Sequence, residues 1–166
     1  MRGMLFAALT ALVALALAGA ALADQPIKFP NPTPVQVFPA GDPVFEICPG
    51  QTITVTPLKD NGTFTIHNTS NASWLWGGGR IFMSISSSTG KSITINATGP
   101  GKAVFDDTGY TINGGGNWLV GETSADTHGE GFWLYTGHIT IRQDNSGTLV
   151  TAFTGRSVLD ICAALA

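Results

Sequence analysis

From Val44 to the C terminus, apolar residues recur at every second position in short runs, each closed by Gly, Asn, Asp or Pro, and no window sustains a 3.6-residue period. Such a pattern admits strands and turns and offers no amphipathic helix. Ile53 and Val55 alternate with Thr52, Thr54 and Thr56, and Phe64 and Ile66 alternate with Thr63, Thr65 and His67. Asp60-Asn61-Gly62 stands between these runs. Asn-Gly tolerates the positive φ of a type I′ turn, so a hairpin is expected there. Ile81, Met83 and Ile85 share one face, as do Ile93 and Ile95, with the polar loop Ser86 to Lys91 joining two antiparallel strands. Thr98-Gly99-Pro100-Gly101, Asp106-Asp107-Thr108-Gly109, Gly114-Gly115-Gly116 and Asp144-Asn145-Ser146-Gly147 read as turns between the later strands. The expectation is an all-β domain, an antiparallel β-sandwich or partly closed barrel of about nine or ten short strands.

One run conflicts with a simple inside and outside. In Phe132 to Arg142, Trp133 and Tyr135 fall on the side of Ile139 and Ile141, while Phe132 and Leu134 fall with His138 and Thr140. Either the strand is covered on both faces or a bulge at Thr136-Gly137 reverses its phase. The glycine favours the bulge, which would turn Trp133 and Tyr135 outward.

Ahead of the domain, residues 1–23 read as a secretory signal: basic Arg2, an apolar run from Met4 to Ala18, and Ala21-Leu22-Ala23 before Asp24. An uncleaved anchor competes with this reading, since the run approaches the ~20 residues that span a bilayer. The small-x-small site followed by a charge favours cleavage. A secreted product, extracellular or at the cell surface and without a membrane segment, is expected. Residues 24–43 hold six of the nine prolines and read as an extended arm or linker, part of which could lie along the domain as an edge. Residues 44–166 form the sandwich domain.

Cleavage removes Arg2 and no acid, so the mature charge is 7 − 11 = −4. With no basic patch to neutralise phosphates, nucleic acid is excluded as a partner. In an oxidising compartment Cys48 and Cys162 have one possible pairing, a disulfide joining the first and last strands.

The opening V-F-E-I-C-P-G, the middle T-G-K-S-I-T-I-N-A-T-G-P-G and the ending V-L-D-I-C-A-A-L-A resemble those of small, uncharacterised secreted proteins of actinomycetes. The resemblance spans most of residues 44–166 and implies a β-rich extracellular domain. It carries no catalytic motif.

Candidate chemistry is sparse. Glu46, Glu122 and Glu130 are the carboxylates that glycoside hydrolysis could use in pairs, but no motif places two face to face, and Glu122 and Glu130 are expected to be exposed beside a Gly- and Ser-bearing loop. Asp126, His128 and Glu130 alternate in an extended segment and could converge on a divalent ion. No G-x-S-x-G elbow is present, and Gly77-Gly78-Gly79-Arg80 lacks the Gly-Lys-Ser/Thr ending of a phosphate loop. No cofactor is expected. Trp74 and Trp76 share a side in a polar, glycine-flanked segment and could stack on sugar rings, with Asn71 binding hydroxyls and Trp133 and Tyr135 as a second platform. The leading expectation is a non-catalytic structural or interaction protein. The alternatives are a module for polysaccharide or a cell-wall component and, third, a glycoside hydrolase.

Overall fold

The computed structural model describes residues 27–30, 33–42, 46–68, 73–122, 129–146 and 149–166; within its strands, the side chains of 27–29, 67–68, 73–76, 149 and 157 are not described. The proposed signal, residues 1–23, lies outside this range. Among the described residues, twelve strands form two antiparallel sheets. They are β1 (Ile27–Pro30), β2 (Gln36–Phe38), β3 (Ile53–Asp60), β4 (Thr63–Asn68), β5 (Ser73–Gly78), β6 (Ile81–Ser87), β7 (Ser92–Asn96), β8 (Gly101–Asp106), β9 (Gly109–Gly114), β10 (Asn117–Glu122), β11 (Gly131–Asp144) and β12 (Leu149–Asp160). A short helix, α1 (Ile161–Leu165), ends the chain.

The smaller sheet runs β2-β3-β6-β7. The larger runs β1-β4-β5-β8-β9-β11, with β10 following β9 along one edge of β11 and β12 along the other. Alternation in β3, β6 and β7 places Ile53, Val55, Met83, Ile85 and Ile95 in a core. Phe38, Phe132, Ile161 and Leu165 complete it from the arm, the larger sheet and α1. The hairpin expected across Ser86 to Lys91 is present as β6-β7.

The hairpin expected at Asp60-Asn61-Gly62 is not. β3 pairs with β2 and β6, whereas β4 pairs with β1 and β5, so the chain changes sheets at residues 61–62. The polar groups of the turn serve a different geometry. Asp60 Oδ1 accepts the Gly62 N–H at 2.8 Å, and Asn61 exchanges hydrogen bonds with Arg80, whose N–H reaches Asn61 Oδ1 at 2.7 Å. Residues 79–80 are a second change of sheet, so the two crossings brace each other. The positive φ of 148° belongs to Gly79, where a Cβ would sit 2.6 Å from Gly62 Cα.

The proline arm contributes an edge to each sheet, β1 beside β4 and β2 beside β3. Between them it crosses from one sheet to the other, and Thr33 N–H is held by Asp60 Oδ2 at 2.6 Å. Short edges bearing Pro30 and flanked by Pro34 and Pro39 offer little ladder to a foreign strand.

In β11 the register does shift between Thr136 and Gly137, but Thr136 pairs with Ser157 and Gly137 with Gly155, so the additional residue is Arg156 on β12. The phase of β11 therefore never reverses. Trp133, Tyr135, Ile139 and Ile141 all join a second core cluster with Trp118, Val120, Ile112 and Phe153. Phe132 and Leu134 face the first. The expectation that Trp133 and Tyr135 turn outward is thus corrected: Tyr135 is 1% exposed, because the first half of β11 is covered on both faces.

Cys48 and Cys162 are bonded, with Cα atoms 5.3 Å apart across 114 residues. The bond joins the segment before β3 to α1, just beyond the final strand. Asp160 caps this helix by accepting the Ala163 N–H at 2.9 Å, and Ile161 and Leu165 bury its apolar side.

Candidate functional site: a cleft over a row of glycines

The strand registers align three glycines across the larger sheet: Phe64 pairs with Gly77, Gly77 with Gly101, Gly101 with Gly114, and Gly114 with Ile139. A row without side chains is a trough. Two aromatic rings lie down in it instead of projecting across the sandwich. A Cβ on Gly77 would sit 2.6 Å from Phe64 Cε1, and one on Gly101 or Gly114 would overlap the six-membered ring of Trp118. Gly99 is covered by the same indole. Trp118 Nε1 donates to the Gly115 carbonyl at 3.0 Å, which satisfies its single polar group and pins the ring flat.

Because those rings lie low, the space between the sheets is not filled. A cleft of about 300 Å³ remains, with Phe64, Ala103, Ile112 and Trp118 on one wall and Val55, Ile81 and Met83 on the other. Among the described residues, no charged one lines it. Its polar lining, Thr33, Gln36, Thr63 and Asn117, comes from the arm and from the first residues of β2, β4 and β10. The cleft is partly open to solvent, and most of its lining is apolar.

A second feature is a buried acid. Glu122 ends β10 with no exposed surface, and Tyr135 Oη donates to its Oε1 at 2.9 Å. Burial, then the hydrogen bond and charge of Glu122, push the Tyr135 hydroxyl far above the ordinary phenol range. The expectation that Glu122 is exposed is corrected: it sits at a strand position opposite Gly131, in register with β11. Glu130 is exposed as expected. The third carboxylate, Glu46, is not on a strand face; its Oε1 accepts the N–H groups of Gly41 and Gly50 at 3.0 and 2.7 Å, which hold it below its usual range.

Of the other residues singled out from sequence, Trp74 and Trp76 occupy β5 opposite Val104 and Lys102 on β8, but their side chains lie outside the described part. Asn71, Asp126 and His128 also lie outside it. Trp133 and Tyr135 pack within the second cluster, and Tyr135 is too buried to stack on a sugar. Among the described residues no three His, Cys, Asp or Glu side chains converge. His138 is exposed.

Sequence reasoning missed Trp118, Phe64 and the glycine row. Gly101 and Gly114 read as parts of turns, and nothing in their local spacing aligns them with Gly77. No family model, no curated protein sequence and no solved structure matches the chain.

Proposed function

We propose that this protein is exported and acts at or outside the cell surface as a non-catalytic binding or structural domain, similar in role and origin to the small secreted β proteins of actinomycetes it resembles. The observation that carries this reading is the Cys48–Cys162 bond, which ties the start of the domain to its last helix. Such a bond persists in an oxidising compartment, in keeping with the leader at residues 1–23. A non-catalytic role is supported by the duties of the acids: Glu46, Asp60, Asp106 and Asp160 accept backbone N–H groups at turns and caps, and Glu122 anchors Tyr135.

Expression of the full chain with its leader in a secreting bacterial host tests this. The expected product is found in the medium or cell-wall fraction, begins at Asp24, and yields no free thiol when unfolded without reductant. Retention in the cytoplasm with residues 1–23 attached, or two titratable thiols, would overturn the reading. A polysaccharide or cell-wall partner bound through Trp74, Trp76 and Asn71 would be read by pull-down on insoluble glycans that is lost in Trp76→Ala.

A further inference from the structure

We propose that the end of β12, Arg156 to Asp160, is an interface between two copies of this chain, paired antiparallel about a two-fold axis at Val158. The proposal goes beyond the role proposed above and is independent of any ligand.

The edge is open and apolar. Among the described residues β12 pairs with β11 alone, so its far side carries an unpaired row of backbone groups. Val150, Val158 and Leu159 lie on this strand, three of the six large apolar side chains exposed on the described surface. The edges of the smaller sheet differ: β2 is flanked by prolines, and β7 presents Ser92, Thr94 and Asn96 to solvent.

Register gives the phase. The Asn117 N–H donates to the Thr98 carbonyl at 3.0 Å and so turns away from Thr136, which stands opposite it on β11. Thr136 therefore directs its backbone groups to its other neighbour, Ser157, and by alternation those of Val158 point to the open side. Only residues with outward-pointing groups can form the hydrogen-bonded pair at the axis of two antiparallel strands, and Val158 is one of them. The usable edge is short. It begins at the Arg156 bulge and ends at Ile161, where α1 turns inward and buries Ile161 and Leu165 in the first core.

Charge selects the occupant. Arg156 is exposed and makes no ion pair among the described residues. A lone cation on an edge discourages a foreign strand. A second copy answers it, because pairing Val158 with Val158 of the partner subunit sets Arg156 opposite the partner's Asp160, and the two-fold axis repeats the contact in reverse. Asp160 caps α1 through Oδ1 alone, which leaves Oδ2 for the guanidinium.

The test is sedimentation velocity of the exported protein over a concentration series. A reversible rise from one copy to two is expected, since so short a pairing makes a small interface. Val158→Pro removes an N–H that the β11 ladder does not use and should leave a folded monomer. Arg156→Glu sets like charges opposite each other twice and should raise the dimer dissociation constant about tenfold. Asp160→Asn, which keeps an acceptor for the helix cap, should raise it less. Cysteine substitution reads the register: Val158→Cys should cross-link two copies on mild oxidation, because paired Cα atoms about 5.5 Å apart suit a disulfide. Val150→Cys, as exposed and on the same strand, should not. Far-UV circular dichroism checks folding, and Arg156→Glu decides the matter if Val158→Pro does not fold. A monomer at every concentration, a dimer undiminished in Val158→Pro or Arg156→Glu, or equal cross-linking at positions 150 and 158 would overturn the proposal.

Discussion

Two side chains hold the interior of the larger sheet in place, and each carries a polar group that had to be answered. Trp118 lies over Gly101 and Gly114 with its N–H on Gly115, so its position depends on glycines that pair with each other across β8 and β9. Gly101→Ala should force the indole out of the trough, lower stability by about 1–3 kcal/mol, and shift the tryptophan emission; urea denaturation followed by fluorescence measures both. Tyr135 donates to the buried Glu122. Tyr135→Phe removes that donor and should cost roughly 1.5–3 kcal/mol, read from the urea midpoint at neutral pH. The same pair sets an alkaline limit. The folded state raises the Tyr135 pKa above the unfolded value, so its contribution is fully present below about pH 10 and is lost as pH rises beyond it. Wild type should therefore lose more stability than Tyr135→Phe between neutral pH and pH 11.

At the scale of elements, the arm between β1 and β2 is held across the cleft's edge by Asp60, which serves the Thr33 and Gly62 N–H groups at once. Burial alone would raise the Asp60 pKa, but the hydrogen bonds from Thr33 and Gly62 outweigh it and hold the carboxylate below its usual range. A depressed folded pKa gives stability that is present above the unfolded value near about 4 and is lost as pH falls through the folded one. Asp60→Ala should cost about 1 kcal/mol at neutral pH, and the gap between wild type and variant should close on acidification to pH 2 in chemical denaturation. β11 makes a different demand. Its Gly137 has φ 133° and faces Gly155, where a Cβ would meet the Gly155 Cα at 2.5 Å. That contact lets one strand run on without changing phase while its partner, β12, absorbs the additional Arg156.

Over the whole molecule, the Cys48–Cys162 bond encloses nearly all of both sheets. In the chain-entropy model, closing a loop of this length contributes roughly 4–5 kcal/mol. Replacing both cysteines with alanine should lower stability by an amount of that order, and reduction of the native protein should lower its thermal midpoint similarly. Cys48 has no exposed surface and belongs to the core, so part of any loss in the double variant comes from packing, and the reduced wild type separates the two contributions.

Sequence by itself determined the all-β class, the antiparallel runs, the β6-β7 hairpin and the pairing of the cysteines, because each depends on a period of two, on turn chemistry, or on the count of a residue type. Which sheet each strand enters was a tertiary decision. Asn61-Gly62 suits a hairpin locally, yet Asp60 and Arg80 engage it in a crossing, and a turn's preference does not specify where the next strand finds its neighbours. Burial of Glu122 and Tyr135 was decided in the same way, by a β11 that is covered on both faces in its first half. The cleft is the furthest from local reading. Gly77, Gly101 and Gly114 are separated by intervals with no period, and only the register of three strands sets them in a row, with Phe64 and Trp118 laid flat upon it.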